Sequence, residues 1–490
     1  MSTSDVPHRI DLVVHDCEDC ACAVSSTVVA RDRTTALPDG PLVQAPNVVE
    51  TVLDEHHSVF FSPFGNGGAV VLNTAAAEVF RAFATPVSTA DVRIGVAEAD
   101  LEPVVRRLVE QDLVHPVGRA PRPRYAESSQ LTAWLHVTNA CNLRCPYCYV
   151  HKTDDAMEEE TARRSVDALV RSAVDHGFRS LRLKYAGGEA SMNPAVVLAL
   201  HDHAVACCAA AGLGLDAVLL SNGVAIPAAF ADGLKARGIR VMVSLDGIGA
   251  AHDAQRPNLA GRPTSAMVQR TVERLIEMGL PPHISVTITS RNTEAVADVV
   301  RYALERDLTF SFNFFRDNEC STSHADLKYE QDAMIDGMRS AFAAIEERLP
   351  PWSVLGTVLD RGQLVEPRQR PCGAGHDYVV IDQRGGIAQC HMDLGASVGH
   401  VDTHDPVAAV RDERAPLRNL LVDEKQGCRD CEWRQWCTGG CPLATFRATG
   451  RFDVRSPNCG IYQTIYPEAL RLEGLRLLKY AVAGQERAES

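Results

Sequence analysis

The stretch LTAWLHVTNACNLRCPYC, which begins at Leu131 and ends at Cys148, sets an apolar run of strand length directly before a loop whose three cysteines stand at Cys-x3-Cys-x2-Cys spacing. Further short apolar runs recur at 181–185, 217–220, 241–245, 284–288 and 309–314. They are separated by stretches such as 157–176, 194–211 and 266–278, whose apolar residues repeat with helical period. Strand–helix alternation of this kind implies a parallel sheet with crossover helices. We therefore expect an α/β fold built on a partial (β/α)6 TIM-type barrel over 130–320, with its chemistry at the C-terminal ends of the strands. The loop carrying Cys141, Cys145 and Cys148 falls at that rim.

Working outward, the connector at 116–123 is rich in Pro and marks a domain boundary. Ahead of it, runs at 59–61 and 69–72 flank Phe64-Gly-Asn-Gly-Gly, and helical patterns follow at 74–83 and 101–111. These predict a small winged-helix-like α+β domain over 46–120, preceded by a flexible segment, 1–45. Beyond the barrel we expect a helical linker at 321–365, a Cys-rich domain at 366–465 and a C-terminal helix at 466–490.

The chain has 490 residues, 46% of them hydrophobic and 23% charged, which suits several soluble domains. Its 49 basic and 63 acidic residues leave a net charge of -14, which argues against a nucleic-acid surface spread over the molecule. No apolar run approaches the roughly 20 residues of a membrane span, and the N-terminus lacks a secretion signal, so we expect a cytoplasmic protein with no membrane partner. Sixteen cysteines in a reducing compartment point to metal or catalysis rather than disulfides.

Soft thiolates suit iron–sulfur clusters or zinc, yet a closed site of either kind takes four ligands and this loop supplies three. A three-thiolate cubane leaves one iron open. Such an iron can chelate S-adenosylmethionine (SAM) and pass an electron into its sulfonium, releasing a 5′-deoxyadenosyl radical. The loop resembles the cluster motif of the radical SAM superfamily, with Tyr147 at the aromatic position before the last cysteine. A structural zinc knuckle completed by a distant His is the alternative. The resemblance extends over about 131–315 and implies SAM contacts at the ends of later strands. These are Gly187, Gly188 and Glu189, whose glycines would let backbone approach the ligand and whose carboxylate would take the SAM ammonium group; then Asn222, Ser244, Asp246 and Arg256. Ser244 would meet the ribose and Arg256 the carboxylate. Ala190 stands where the family usually has Pro.

A second array reads Cys372-x17-Cys390, then Cys428-x2-Cys431-x5-Cys437-x3-Cys441-x17-Cys459, with a hairpin pattern between the first two. It resembles the SPASM domain of peptide-modifying enzymes, including Gly385 ahead of Cys390. That resemblance implies two auxiliary [4Fe-4S] clusters, one on Cys372, Cys390 and Cys441, the other on Cys428, Cys431, Cys437 and Cys459, for three clusters in all. The fourth site of the former is open, or filled by Cys320 or His376. A zinc ribbon is the alternative for the Cys428 group alone. Cys207 and Cys208 read as core residues, and Cys17, Cys20 and Cys22 as a reactive tail.

Enzymes with SPASM domains include sulfatase maturases, peptide cyclases and quinone-cofactor maturases. Sulfatase maturases place an Asp after the cysteine matching Cys390, where this chain has His391 with Asp393 two further on. The 59–81 region resembles PqqD-like domains that grip leader peptides, the alternative being a cap on the barrel. Together these imply a maturase that crosslinks a ribosomally made precursor peptide through a thioether or C–C bond, served by a reductase or by a flavodoxin or ferredoxin donor. Formylglycine formation, a small-molecule radical SAM oxidoreductase and a non-catalytic iron–sulfur scaffold are the other readings.

Overall fold

The computed structural model describes residues 37–66, 68–95 and 98–488. Its N-terminal unit runs β1 (Leu42–Gln44), β2 (Val49–Val52), β3 (His57–Phe61), β4 (Val70–Asn73), α1 (Thr74–Ala82), α2 (Glu98–Glu110) and β5 (Val114–Pro116). Strands β2, β3 and β4 form an antiparallel sheet, and β1 pairs with β5. The Asn73 side chain accepts the Ala76 N–H at 2.9 Å and so caps the first turn of α1. Alternation along β3 serves two cores. Phe60 turns toward α1, meeting Phe80 edge-on at 5.1 Å, while Phe61 turns the other way onto Trp433 and Trp436. Leu42 is fully buried, so the ordered unit begins before residue 46 and takes in the last part of the segment expected to be flexible. Cys17, Cys20 and Cys22 lie outside the described residues.

The barrel follows as β6 (Gln130–His136), α3 (Glu159–Asp175), β7 (Ser180–Ala186), α4 (Pro194–Ala211), β8 (Gly214–Ser221), α5 (Ala228–Ala236), β9 (Arg240–Ser244), α6 (Ala250–Gln255), α7 (Ser265–Glu277), β10 (His283–Ile288), α8 (Val296–Leu304) and β11 (Phe310–Phe314). All six strands run parallel, in sequence order from β6 to β11. The helices cover the outer face, where Leu131, Leu183, Leu219, Val243 and Val286 are buried, while the inner face, with Thr132, Lys184 and Ser285, lines a cavity. Among the described helices α4 alone is long and apolar enough to cross a membrane. It is a crossover between two neighbouring strands, and its middle carries His201, Asp202 and His203, with Arg237 paired to Asp202 at 2.7 Å.

After α9 (Gln331–Glu347) the chain returns to the barrel. Strand β12 (Tyr378–Ile381) pairs in parallel with β6, Tyr378 lying opposite Thr132, and β13 (Gly386–Ala388) and β14 (Ser397–His400) extend the same sheet antiparallel. Gly385 sits at φ +91° in the β12–β13 turn, a conformation L side chains rarely adopt. The expected hairpin thus exists, but as a continuation of the barrel sheet rather than as part of a detached domain. Short helices α10 (Pro406–Arg411), α11 (Arg434–Cys437) and α12 (Pro442–Thr449) precede α13 (Cys459–Ala488), which starts at Cys459 rather than 466. Helix α13 presses on the N-terminal sheet so closely that a Cβ on Gly474 would lie 2.8 Å from Leu53.

Candidate active site

The cysteine loop is clamped between two strand ends. On one side Gly188 N–H donates to the Thr138 carbonyl at 2.6 Å and Glu189 N–H to that of Ala140 at 2.9 Å. A Cβ on Gly187 would stand 2.4 Å from the Thr138 oxygen, and one on Gly188 at 2.4 Å from the oxygens of Asn139 and Ala140. These glycines therefore admit the backbone of the cysteine loop, and Gly188 also reaches the cavity beside it. On the other side Arg144 N–H donates to the Pro257 carbonyl at 2.9 Å.

Within this clamp burial pushes the Cys145 thiol up to about 12 and raises Cys141 as well. The Leu143 N–H lies 3.4 Å from Cys141 Sγ, the Asn222 amide 3.8 Å from the same sulfur, and Lys152 Nζ donates to Cys148 Sγ at 2.9 Å. Cys141 and Cys145, raised by burial, keep their protons until a soft metal displaces them, after which the donors at Cys141 and Cys148 would stabilise thiolates. The three sulfurs could hold a cubane with one open iron.

The strand-end residues separate into two groups. Tyr147, Gly188, Asn222, Ser244 and Arg256 line a cavity of about 380 Å³ together with the three cysteines. Gly187, Glu189 and Asp246 stand behind that wall. Glu189 is buried and accepts from Ser191 N–H at 3.1 Å, Ser221 Oγ at 2.8 Å and Asn222 N–H at 2.6 Å, so its carboxylate ties β7 to β8. Asp246 is fully buried. It accepts from Tyr147 OH at 2.5 Å, Arg256 Nε at 2.7 Å and Thr287 N–H at 2.8 Å. Burial opposes the Arg256 charge, and the adjacent Asp246 carboxylate overrides it, holding the guanidinium protonated well above its ordinary range.

The later cysteines fall into two neighbourhoods. Cys372, Cys390 and Cys441 share an apolar pocket with Ala374, Leu417 and Leu443, and all three reach the same cavity as the loop cysteines. Burial pushes Cys390 up to about 12, and the charges of Cys441 and Cys372 add to it. Cys428, Cys431, Cys437 and Cys459 form the other set, Cys437 being raised to about 12 by burial and then by its three companions. Cys320 lies away from the first set: its sulfur is 3.5 Å from His151 Nε2 and within the field of Cys148. His376 sits beside Arg370 and Arg411 and takes no part in the cavity wall. Neither expected fourth ligand is placed at the Cys372 set.

Sequence reasoning did not find Lys152, which has no motif of its own, nor Arg361, whose guanidinium faces the cavity near Cys372 and Cys441. It noted His391 only as a departure from Asp. In the fold His391 lines the cavity, stacks on Trp134 at 4.4 Å and meets Tyr378 OH at 2.9 Å through Nδ1. Burial drives it well below its ordinary pKa, so the imidazole is neutral.

A parallel sheet that carries three cysteines in the loop after its first strand, all reaching one cavity, is a scaffold that could hold a metal cluster. Residues 135–303 match the model of the radical SAM superfamily, and this part of the chain is a radical SAM domain. Over 362 residues the chain is 23% identical to the PqqA peptide cyclase of Methylorubrum populi, covering 70% of this chain and 88% of that protein. It is 26% identical over 175 residues to an uncharacterised protein of Methanocaldococcus jannaschii; this covers 35% of the chain and spans 57% of that relative's length. Among solved structures, anSMEcpe with bound AdoMet and a Cp18Cys peptide shares the fold, with a TM-score of 0.58 and 18% identity over 71% of this chain and 99% of that one.

Proposed function

We propose that this protein is a radical SAM maturase that oxidises a ribosomally made precursor peptide and closes an intramolecular thioether or C–C crosslink. The observation that carries this reading is the single cavity walled both by Cys141, Cys145 and Cys148 and by Cys372, Cys390 and Cys441. A residue placed there can meet a radical generator and an electron acceptor at once. Three [4Fe-4S] clusters, on the ten cysteines as partitioned above, would supply the electron that cleaves SAM and accept the one released when the crosslink closes. The balance is one hydrogen atom to the 5′-deoxyadenosyl radical, one proton to solvent and one electron into the protein per bond formed. A reductase, flavodoxin or ferredoxin would deliver the priming electron in a reducing cytoplasm.

The chain's own residues bind and orient. Tyr147, Gly188, Asn222, Ser244 and Arg256 would hold SAM against the open iron, Arg256 being kept charged for a carboxylate by Asp246. Gly187, Glu189 and Asp246 fix that wall from behind. The N-terminal unit would act as a PqqD-like, winged-helix-type leader grip, with the leader adding a strand to β2. The similarity to a PqqA peptide cyclase supports a peptide substrate.

Anaerobically reconstituted protein should carry about twelve irons, four per cubane. Replacing Cys141, Cys145 and Cys148 together by Ala should leave about eight and abolish 5′-deoxyadenosine formation. Mass spectrometry of the precursor should show loss of two hydrogens with the wild type alone. Wild-type rates of SAM cleavage by the triple variant, or stoichiometric zinc in place of iron, would sink the reading. Equal SAM turnover coupled to a small molecule without any peptide would replace it.

A further inference from the structure

On the outer layer of the barrel, away from the cavity, helices α3 and α4 bring three metal-ligating side chains together. His203 and Cys207 stand one turn apart on α4, where i and i+4 share a face. Asp167 reaches across from α3. Cys207 Sγ lies 3.5 Å from His203 Nε2 and 3.6 Å from Asp167 Oδ1, and His203 Nε2 lies 2.8 Å from the same Asp167 oxygen. All three residues are half-buried. The sequence predicts core positions for both Cys207 and Cys208; Cys208 is buried at 1% exposure, while Cys207 is half-buried at the margin of the core.

Tetrahedral zinc takes sulfur at about 2.3 Å and imidazole nitrogen or carboxylate oxygen at about 2.0–2.1 Å, which sets sulfur about 3.5 Å from each light ligand and the light ligands about 3.3 Å apart. Both sulfur separations already stand at those values, but Cys207 Sγ is also 3.9 Å from His203 Nδ1, where an ion shared on Nε2 would set it about 5 Å away, so the ring must turn until Nε2 faces the sulfur. The nitrogen–oxygen pair is about 0.5 Å closer than the ion requires, and that turn together with a rotation of Asp167 opens it. We propose that Asp167, His203 and Cys207 form a zinc site, with water as the fourth ligand on the solvent side. A thiolate and a carboxylate cancel the charge of the divalent ion, and a soft sulfur beside imidazole favours zinc over magnesium or calcium. Joining α3 to α4 would cross-link the two helices that flank β7, the strand whose end clamps the cysteine loop.

The test uses fully reconstituted holoenzyme, incubated anaerobically with a two-fold excess of zinc sulfate and then desalted. Plasma mass spectrometry should find about one zinc per wild-type chain and none above background in His203→Ala or Cys207→Ser, with iron unchanged in all three. X-ray absorption at the zinc edge should show one sulfur and three light neighbours. A four-sulfur shell would mean that zinc had entered cluster cysteines, and equal zinc in wild type and H203A would mean that the triad is only a hydrogen-bonded cluster; either overturns the proposal.

Discussion

At the scale of single residues, the buried Asp246–Arg256 pair is the most exacting feature of the cavity wall. Its side chains are 0% and 9% exposed, and Asp246 also holds Tyr147 and the backbone of Thr287. Asp246→Asn preserves shape but leaves the buried Arg256 charged without its carboxylate. Loss of one partner of a buried pair costs about 3–5 kcal/mol, so D246N should lower the unfolding free energy by that order and weaken SAM binding; unchanged values on both measurements would contradict the assigned role. His283 reports on pH. Burial, then Arg240, pushes it down to about 3, and its two nitrogens face Thr309 Oγ1 at 2.8 Å and Ser311 Oγ at 2.9 Å. Because its folded pKa lies below the unfolded value near 6.5, its stabilisation is complete above pH 6.5 and is lost as pH falls toward 3. Between pH 6.5 and 5 wild-type stability should fall by up to about 1.4 kcal/mol per pH unit from this group, and His283→Gln should flatten that slope in unfolding titrations.

At the scale of elements, β2 offers a specific test of leader capture. Leu53 N–H donates to the His57 carbonyl, so by antiparallel alternation Thr51 and Val49 make the ladder with β3 while Glu50 and Val52 turn their backbone groups to the open edge. Val52 is 66% exposed, and among the described residues no strand pairs with that edge. Val52→Pro deletes an outward N–H without touching the β2–β3 ladder, a substitution edge strands tolerate. We expect leader affinity to drop about tenfold or more, as for loss of one to two backbone hydrogen bonds, with the melting temperature unchanged. Undiminished binding in a titration would place the leader elsewhere.

At the scale of the whole molecule, the N-terminal unit is more than a tethered module. Phe61 packs on Trp433 and Trp436, the Trp436 indole N–H donates to the Pro63 carbonyl at 2.9 Å, and α13 lies against the N-terminal sheet. Removing residues 1–120 should therefore expose the Trp433–Trp436 face and lower the melting temperature by several degrees, besides impairing peptide turnover. A truncated enzyme that melts as the intact one does would show the contact to be incidental. This interlock also explains why the V52P variant separates leader binding from folding and the deletion does not.

The sequence by itself determined that the barrel strands run parallel, because each crossover carries a helical period, and it named all ten cysteines of the candidate cluster sites, because thiol spacing is a local property of loops. It also named Gly188, Asn222, Ser244 and Arg256 of the cavity wall, though not Lys184, Ser285, Thr287 or Asn313 beside them. What only the tertiary structure decided depends on long-range pairing. Strand β12 joins β6 across the whole barrel sequence and about half the chain, a register no local pattern encodes. Glu189 is turned inward to Ser221 and Asn222, and Lys152 is carried to Cys148 by the fold of its loop. Cys207 stands at the margin of the core because α4 turns it toward His203 and Asp167, one position from a neighbour that stays buried. Local spacing sets which side chains can ligate or line a strand. Where each one points is set by helix rotation and strand pairing between segments far apart in the chain, and those are fixed only when the core closes.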